Sequence, residues 1–94
     1  MYYVYVLIES HTGKTYIGYS DDLKRRLSEH QASKGGKTTK NGDWQLVYYE
    51  AFSAKEDAMA RERKLKHHGM AKKKLFERIS ISLAGQNRAG EAPN

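Results

Sequence analysis

The chain has 94 residues, enough for one domain with one modest hydrophobic core. It carries 17 Lys and Arg against 11 Asp and Glu, a net charge of +6 that favours nucleic acid or an anionic membrane surface as partner. The absence of cysteine excludes disulfides and thiolate metal sites. The apolar start MYYVYVLI is too short for a membrane span and lacks the basic region of a signal sequence, so we expect a cytoplasmic protein.

Two strands are predicted at the start of the chain. Residues 2–8, YYVYVLI, form a continuous apolar run that is typical of a strand buried on both faces. The turn residues ESHTGK follow, with Gly13 able to adopt a positive φ, and TYIGYS at 15–20 predicts a second strand. So short a connection indicates an antiparallel hairpin. Gly18 inside the second strand indicates either a bulge or a close approach of another group to the backbone.

The first helix is predicted from Ser20 or Asp21 to about Ala32. Both starting residues can cap a helix, and the aspartates suit the positive end of its dipole. The segment SKGGKTTKNGD at 33–43 has the composition of a basic loop. The apolar and β-branched run WQLVYYEAF at 44–52 then predicts the third strand.

Two further helices are predicted in the second half. Ser53 followed by Glu56 predicts a capping box at the start of the second helix, and Gly69 is placed to end it. Residues 70–83 predict the third helix. Its apolar stripe consists of Ala71, Leu75 and Ile79.

These elements predict an α+β fold with a small three-stranded antiparallel sheet flanked by three helices, in the order ββαβαα. Residues 1–83 form the predicted domain. The segment 84–94, AGQNRAGEAPN, has no apolar periodicity and is predicted to be a disordered tail.

The first helix places two neighbouring arginines on different faces. A helix turns by about 100° per residue, so Arg26 and His30 share or border the face of Leu23 and Leu27, while Arg25 points to the opposite side. An arginine beside a core is unfavourable unless a group pairs with it. Arg26 is therefore either a functional cation or a side chain that extends along the sheet edge to a salt bridge.

The second helix carries an acidic residue on its apolar side. Glu62 lies about 40° from Ala58 and about 60° from Leu65. A carboxylate in this position is either ion-paired, with Lys66 or a core-edge arginine, or a metal ligand. The residues alone leave both options open.

The motifs YIGYSDDLKRRLSEH and ARERKLK give the chain a resemblance to the GIY-YIG endonuclease superfamily, and in particular to its small stand-alone bacterial members. The GIY motif of the family name corresponds to YVY at 3–5, and the YIG motif corresponds to YIG at 16–18. Arg26, His30 and Glu62 fall at the positions of the family's Arg, His and acidic metal ligand.

The resemblance implies a site for metal-dependent phosphodiester hydrolysis. Tyr5, Tyr16, Arg26 and His30 would be its catalytic residues, and Glu62 would hold one Mg²⁺ or Mn²⁺ ion. In this scheme Tyr5 is the candidate general base and Arg26 braces the phosphate. His30 and Tyr16 hydrogen-bond and orient the reacting groups.

A basic footprint is expected around this site. We expect DNA rather than RNA as the partner, structure-selective cutting in DNA repair or turnover, and a protein partner as the source of any sequence specificity. The predicted nucleic-acid contacts are Lys24, Arg25, Lys37, Lys40, Arg61, Arg63, Lys66, Lys72 and Lys73.

Two departures from the family pattern keep alternatives open. Tyr3 stands where the first motif has glycine, and the segment after Glu62 lacks an asparagine that many nucleases of the family carry near the metal. Asn87 and Asn94 lie in the predicted tail. The missing asparagine favours a catalytically weak nucleic-acid-binding module of the same fold. A third reading is an interaction protein whose charges form solvated faces.

Overall fold

The α+β fold is confirmed in the computed structural model, which describes residues 1–31 and 42–87. Within these ranges the order is ββαβααα, with one helix more than predicted. The basic loop predicted at 33–43 falls largely outside the described residues. The elements are β1 (Tyr2–Glu9), β2 (Thr15–Ser20), α1 (Leu23–Gln31), β3 (Trp44–Phe52), α2 (Lys55–His67), α3 (Gly69–Arg78) and α4 (Ser80–Asn87).

The three strands form an antiparallel sheet in the order β2-β1-β3, so the apolar β1 lies at its centre. Tyr5 in β1 faces Gly18 in β2 and Tyr49 in β3. Gly13 adopts a φ of 76° in the β1–β2 turn, as predicted. The irregularity in the sheet lies between Val6 and Leu7, where the pairing of β1 with β3 shifts register, and not at Gly18.

The sheet separates two apolar clusters because successive side chains of a strand point to opposite faces. On one face, β1 and β2 pack against α2 and α3. We call it the α2 face, and its core consists of Val4, Val6, Ile17, Ala58, Leu65 and Leu75. On the other, which we call the α1 face, β1 and β3 pack against α1. Its members are Tyr5, Leu7, Trp44, Tyr16, Leu23, Leu27 and Leu46.

Three details of the helices differ from the predictions. Ala54 and not Ser53 occupies the N-cap of α2, and no side chain caps it. Gly69 begins α3 without a positive φ, so the chain turns at His68. The predicted third helix is two helices, since Ile79 leaves the helical region with φ −109° and ψ 26°. Its Ile-Ser-Ile-Ser sequence consists of weak helix formers.

The predicted tail boundary at residue 84 falls inside α4, which continues to Asn87. The division of the chain into a domain and a tail is otherwise a prediction, because residues 88–94 lie outside the described part. Within the described ranges, no helix combines the length and apolar character needed to cross a bilayer.

Candidate active site

Tyr5 and His30 form the centre of the candidate site. Tyr5 stands in the middle of β1 and His30 near the end of α1, and each is only 1% exposed. The Tyr5 hydroxyl lies 3.1 Å from His30 Nε2, within hydrogen-bond distance. A phenol and an imidazole, two of the side chains that transfer protons in enzymes, are thus joined inside the protein.

Tyr16 completes a cluster of three rings on the α1 face. Its ring centre lies 5.3 Å from that of His30 and 6.2 Å from that of Tyr5. Tyr5 and His30 meet edge-on, with centres 5.9 Å apart. These separations are typical of favourable aromatic contacts, so packing as well as the hydrogen bond fixes the rings.

Gly18 makes room for the Tyr5 hydroxyl. A Cβ atom at this position would lie 2.5 Å from the hydroxyl oxygen and 2.9 Å from the Tyr16 ring. Of the two explanations offered by the sequence, the close approach is therefore the one observed. The glycine of the YIG motif is needed because any larger residue would displace the tyrosine.

The charge states of Tyr5 and His30 follow from their environment. Burial is the main cause that raises the pKa of Tyr5, and the neighbouring Tyr16 adds to it, while Arg26 acts in the opposite direction. Burial also lowers the pKa of His30, followed by the positive charge of Arg26. Near neutral pH the phenol is therefore protonated and the imidazole is uncharged.

The start of α1 sets the direction of its functional side chains. Ser20 Oγ accepts a hydrogen bond from the backbone N–H of Asp22 at 2.9 Å, and Asp22 Oδ1 accepts one from the N–H of Arg25 at 3.1 Å. Asp22 is therefore the capping side chain, one residue later than the predicted candidates. This cap begins the helix so that Arg26 and His30 lie toward the sheet.

Arg25 and Arg26 differ in exposure as the helical periodicity predicts. The Arg25 side chain is 55% exposed and makes ion pairs with Asp21, Asp22 and Glu29. The Arg26 side chain is 35% exposed and donates from Nη1 to Glu29 at 3.2 Å. Its Nε is buried and has no hydrogen-bond partner among the described residues. Arg26 thus keeps donor capacity inside the site, while Arg25 is engaged along its own helix.

Glu62 lies at the edge of the same site. Its side chain is 22% exposed and pairs with Lys66 at 3.2 Å. Lys66 Nζ in turn lies 5.9 Å from the centre of the Tyr16 ring. Glu62 is also close enough to raise the pKa of Tyr5. The ion pair with Lys66 anticipated from the sequence is therefore present, and it sits beside the tyrosine cluster.

The donor set around Glu62 can be compared with what a divalent cation requires. Within residues 1–31 and 42–87, no three His, Asp or Glu side chains are grouped as a ready-made metal cage. Mg²⁺ does not need one, since it keeps several waters and binds through one or two carboxylates together with substrate phosphate. Glu62 is partly exposed and its partner is a flexible lysine, so the site fits an ion of this kind.

The predicted nucleic-acid contacts differ in their exposure and in the residues that surround them. Lys24, Arg63 and Lys73 are exposed, and Lys72 lies 5.3 Å from the Phe76 ring centre and lines a pocket with Thr15. Lys66 lies over the Tyr16 ring and Lys72 lies near Thr15, so both bring positive charge to the β2 edge of the sheet. The remaining two of the predicted lysines, Lys37 and Lys40, lie outside the described residues.

Arg61 has a different environment from the other predicted contacts. It donates three hydrogen bonds of 2.9–3.1 Å to the Glu50 carboxylate, which also accepts one from Tyr48 at 2.6 Å. These bonds raise the pKa of Arg61 and join α2 to β3. Because its guanidinium is already occupied, we assign Arg61 to the fold and leave it out of the nucleic-acid surface.

Sequence reasoning missed two contributors to the site. Glu29 binds Arg25 and Arg26 together, and its place three and four residues after them is a signal that could have been used. Trp44 packs against Tyr16 with ring centres 6.4 Å apart. Nothing local in the sequence indicates that contact, because it depends on how β3 enters the sheet.

The comparison with known families decides the classification. A family model described as the GIY-YIG catalytic domain matches residues 1–75. The chain belongs to the GIY-YIG family. This domain implies a nuclease-type activity, which involves nucleic acid, and GIY-YIG nucleases generally use divalent metal ions.

Similar GIY-YIG proteins are small stand-alone members named UPF0213, as the resemblance indicated. The UPF0213 protein BH0048 of Halalkalibacterium halodurans is 42% identical over 85 residues, which cover 89% of this chain and 85% of that protein. One from Lacticaseibacillus paracasei is 40% identical over 76 residues, covering 80% and 84%. The solution NMR structure of BH0048 from Bacillus halodurans matches with a TM-score of 0.52 and 36% identity, covering 96% of this chain and 95% of that one.

Proposed function

We propose that this chain is a metal-dependent endonuclease that hydrolyses phosphodiester bonds in DNA. The observation that supports it best is the buried hydrogen bond between Tyr5 and His30, with the Arg26 guanidinium close enough to alter the pKa of both. A proton acceptor and a cation beside one another are what hydrolysis of a phosphate ester needs.

Tyr5 and His30 act together on the proton of the attacking water. Because burial raises the pKa of Tyr5, its phenol is a poor base by itself. The uncharged His30 can accept the phenolic proton at Nε2 while the Tyr5 oxygen receives the proton of the water. The pair therefore removes a proton from water without leaving a phenolate buried in the resting protein.

Arg26 stabilises the charge that develops on the phosphate. Its Nε has no partner among the described residues and its Nη1 contacts only the edge carboxylate Glu29 there. A guanidinium can donate two parallel hydrogen bonds to phosphate oxygens, so Arg26 is suited to binding the scissile group. Tyr16 packs on the other two rings and holds their orientation.

Glu62 would hold the divalent cation, which supplies positive charge at the phosphate and lowers the pKa of nearby acidic groups when bound. We propose Mg²⁺ or Mn²⁺, one ion per site. An ion held by Glu62 would replace Lys66 in its ion pair, and the lysine charge would then be available to the DNA backbone. The flexible lysine stem allows this exchange without a change in the fold.

The rest of the footprint positions the DNA without reading its sequence. Lys24, Arg25, Arg63, Lys72 and Lys73 are suited to phosphate contacts, which position DNA but carry no sequence information. We therefore propose a structure-selective activity in DNA repair or turnover, with sequence specificity supplied by a protein partner. Lys37 and Lys40 belong to the same proposal.

A second candidate function is a nucleic-acid-binding module with little catalysis. Glu62 is paired with Lys66, and the segment between it and α4 has no asparagine to assist with the metal. Asn87 is the last residue of α4. Such a module would bind DNA with the same dependence on salt but would leave it intact.

Incubation of the purified protein with labelled branched, single-stranded and duplex DNA separates these candidates. The nuclease cuts with Mg²⁺ or Mn²⁺ and stops with chelator, whereas the module only binds. If about five phosphates are neutralised, log K against log salt falls with a slope of about −4 to −5 on duplex DNA. Absence of binding even at low salt would remove both candidates.

A further inference from the structure

A cleft on the α1 face lies beside the candidate active site and is not used by the proposed chemistry. Leu23 and Leu27 of α1 line it together with Tyr3 of β1 and Tyr49 of β3. Lys24 also lines it, and a helix turn of about 100° per residue places this side chain on the flank of α1 away from Arg26. The cleft therefore runs along the β3 side of the helix, opposite the side where Arg26 lies.

Tyr49 gives this cleft an aromatic surface that is open to solvent. It is 52% exposed and is the one aromatic residue among the strongly exposed large hydrophobic residues of the described part. The Tyr3 ring meets it edge-on, with centres 6.1 Å apart and planes at 61°. That contact fixes the Tyr49 ring while leaving much of it uncovered.

The cleft adjoins the site around Tyr5 through one cross-strand pair. Tyr49 stands directly opposite Tyr5 on the neighbouring strand, so both side chains point to the α1 face. Side chains in such a pair have Cβ atoms roughly 4.5–5.5 Å apart. A strand of nucleic acid bound at the candidate site can therefore place a neighbouring nucleotide against Tyr49.

The charges around the cleft favour a base over a phosphate. Asp21 and Asp22 line it, and each lies 3.7 Å from the Arg25 guanidinium, which only partly offsets two carboxylates. Their charge repels a phosphate inside the cleft, while Lys24 offers a cation beside it. The two carboxylates would also attract a basic peptide, but the net charge of +6 repels such a peptide at long range and attracts DNA.

We propose that this cleft binds an unpaired nucleobase of the DNA substrate, stacked on Tyr49, with Lys24 against the adjoining phosphate. The inference rests on the proposed nuclease function and adds a substrate class, DNA with unpaired nucleotides next to the cut. Bases stack on aromatic side chains irrespective of sequence, so the cleft selects for an unpaired base and not for its identity.

The test compares two DNA ligands that differ only in whether the overhang carries its bases. A labelled duplex with a short single-stranded overhang is titrated with the protein in chelator, and the same DNA is prepared with abasic sites in the overhang. Loss of one stacked base is expected to weaken binding roughly 5- to 150-fold. Tyr49→Ala should weaken binding of the intact overhang by the same factor and leave the abasic ligand unaffected.

Matched variants exclude a general loss of structure. Tyr49→Trp keeps an aromatic surface and should retain the preference for the intact overhang. Met59→Ala removes another exposed hydrophobic side chain, on α2, and should change neither titration. Equal affinity for intact and abasic DNA would overturn this inference even if Tyr49→Ala failed to fold. With salt-dependent binding preserved, that result would leave the proposed nuclease in place, whereas absence of all DNA binding would overturn both.

Discussion

Tyr5 and His30 share a buried hydrogen bond of 3.1 Å although 25 residues separate them in the chain. Burial raises the pKa of the phenol and lowers that of the imidazole, so both groups are uncharged near neutral pH. The resting protein therefore does not bear the cost of an isolated buried charge at this pair. The hydrogen bond between the two groups gives a path for a proton to pass from one to the other.

Removal of the Tyr5 hydroxyl should therefore abolish most cleavage while preserving the fold. We expect Tyr5→Phe to lower the single-turnover cleavage rate by roughly 10²- to 10⁴-fold, the range for a general acid or base. Tyr48→Phe is the matched control, since it removes a hydroxyl bound to Glu50 on the α2 face. A Tyr5→Phe variant that cuts as fast as Tyr48→Phe would exclude Tyr5 from proton transfer.

Gly18 should be intolerant of even one additional carbon. In Gly18→Ala the new Cβ would lie 2.5 Å from the Tyr5 hydroxyl oxygen, so the tyrosine must move. We expect overpacking to cost about 1–3 kcal/mol of unfolding free energy, together with a loss of cleavage. Gly69→Ala, where the new Cβ would meet nothing within 4 Å beyond its own helix backbone and chain neighbours, is the control and should not destabilise the protein. Thermal unfolding of the two variants tests the contrast, and equal melting temperatures would contradict it.

Arg25 and Arg26 offer a comparison at constant charge. Arg26→Ala should lower the cleavage rate by roughly two to three orders of magnitude, the scale for one preorganised donor to a transition state. Arg25→Ala should keep the rate at saturating DNA, weaken binding mildly and reduce the salt slope by about one unit. Circular dichroism establishes that both variants fold. If both then lost the same amount of rate, the assignment of Arg26 to the site would be wrong.

The elements that sequence predicted well are those whose signal is local. The apolar run of β1 and the stripe of Ala71, Leu75 and Ile79 follow from periodicity, and all three stripe residues pack with the α2 face. The contrast between Arg25 and Arg26 has the same origin, because helical geometry alone determines it.

The sequence alone could not predict contacts between residues that only the fold brings together. Arg61 forms hydrogen bonds with Glu50 because α2 crosses β3. The two residues are 11 positions apart and lie in different elements. The break at Ile79 could not be predicted either, because the helical spacing of the apolar residues continues across it. Glu62 and Lys66, in contrast, are spaced four apart on one helix, and their pairing was anticipated.

Glu9 should make the stability of the protein sensitive to acid. The Glu9 carboxylate accepts a hydrogen bond from the backbone N–H of Asp43, and this bond is the main cause that lowers the pKa of Glu9 from 4.5 to about 2. Burial acts in the opposite direction, while hydrogen bonds from His11 and Thr12 lower the pKa further. Because the folded pKa lies below the unfolded one, this carboxylate stabilises the fold fully above about pH 5, and the effect is lost as pH falls toward 2. Glu9→Gln should be less stable at pH 7 and show a flatter melting profile between pH 5 and 2. An unchanged profile would contradict the role of Glu9.

Cleavage of labelled branched DNA by Glu62→Gln is the most direct test of the proposed nuclease. The substitution keeps the size of the side chain but removes the charge that would hold the metal. Glu56→Gln, at an exposed position of the same helix, is the control. We expect the wild type and the control to cut with Mg²⁺ and to stop with chelator, and Glu62→Gln to bind the DNA without cutting it. Cutting by Glu62→Gln at the wild-type rate with Mg²⁺ would contradict the account and return Glu62 to its ion pair with Lys66.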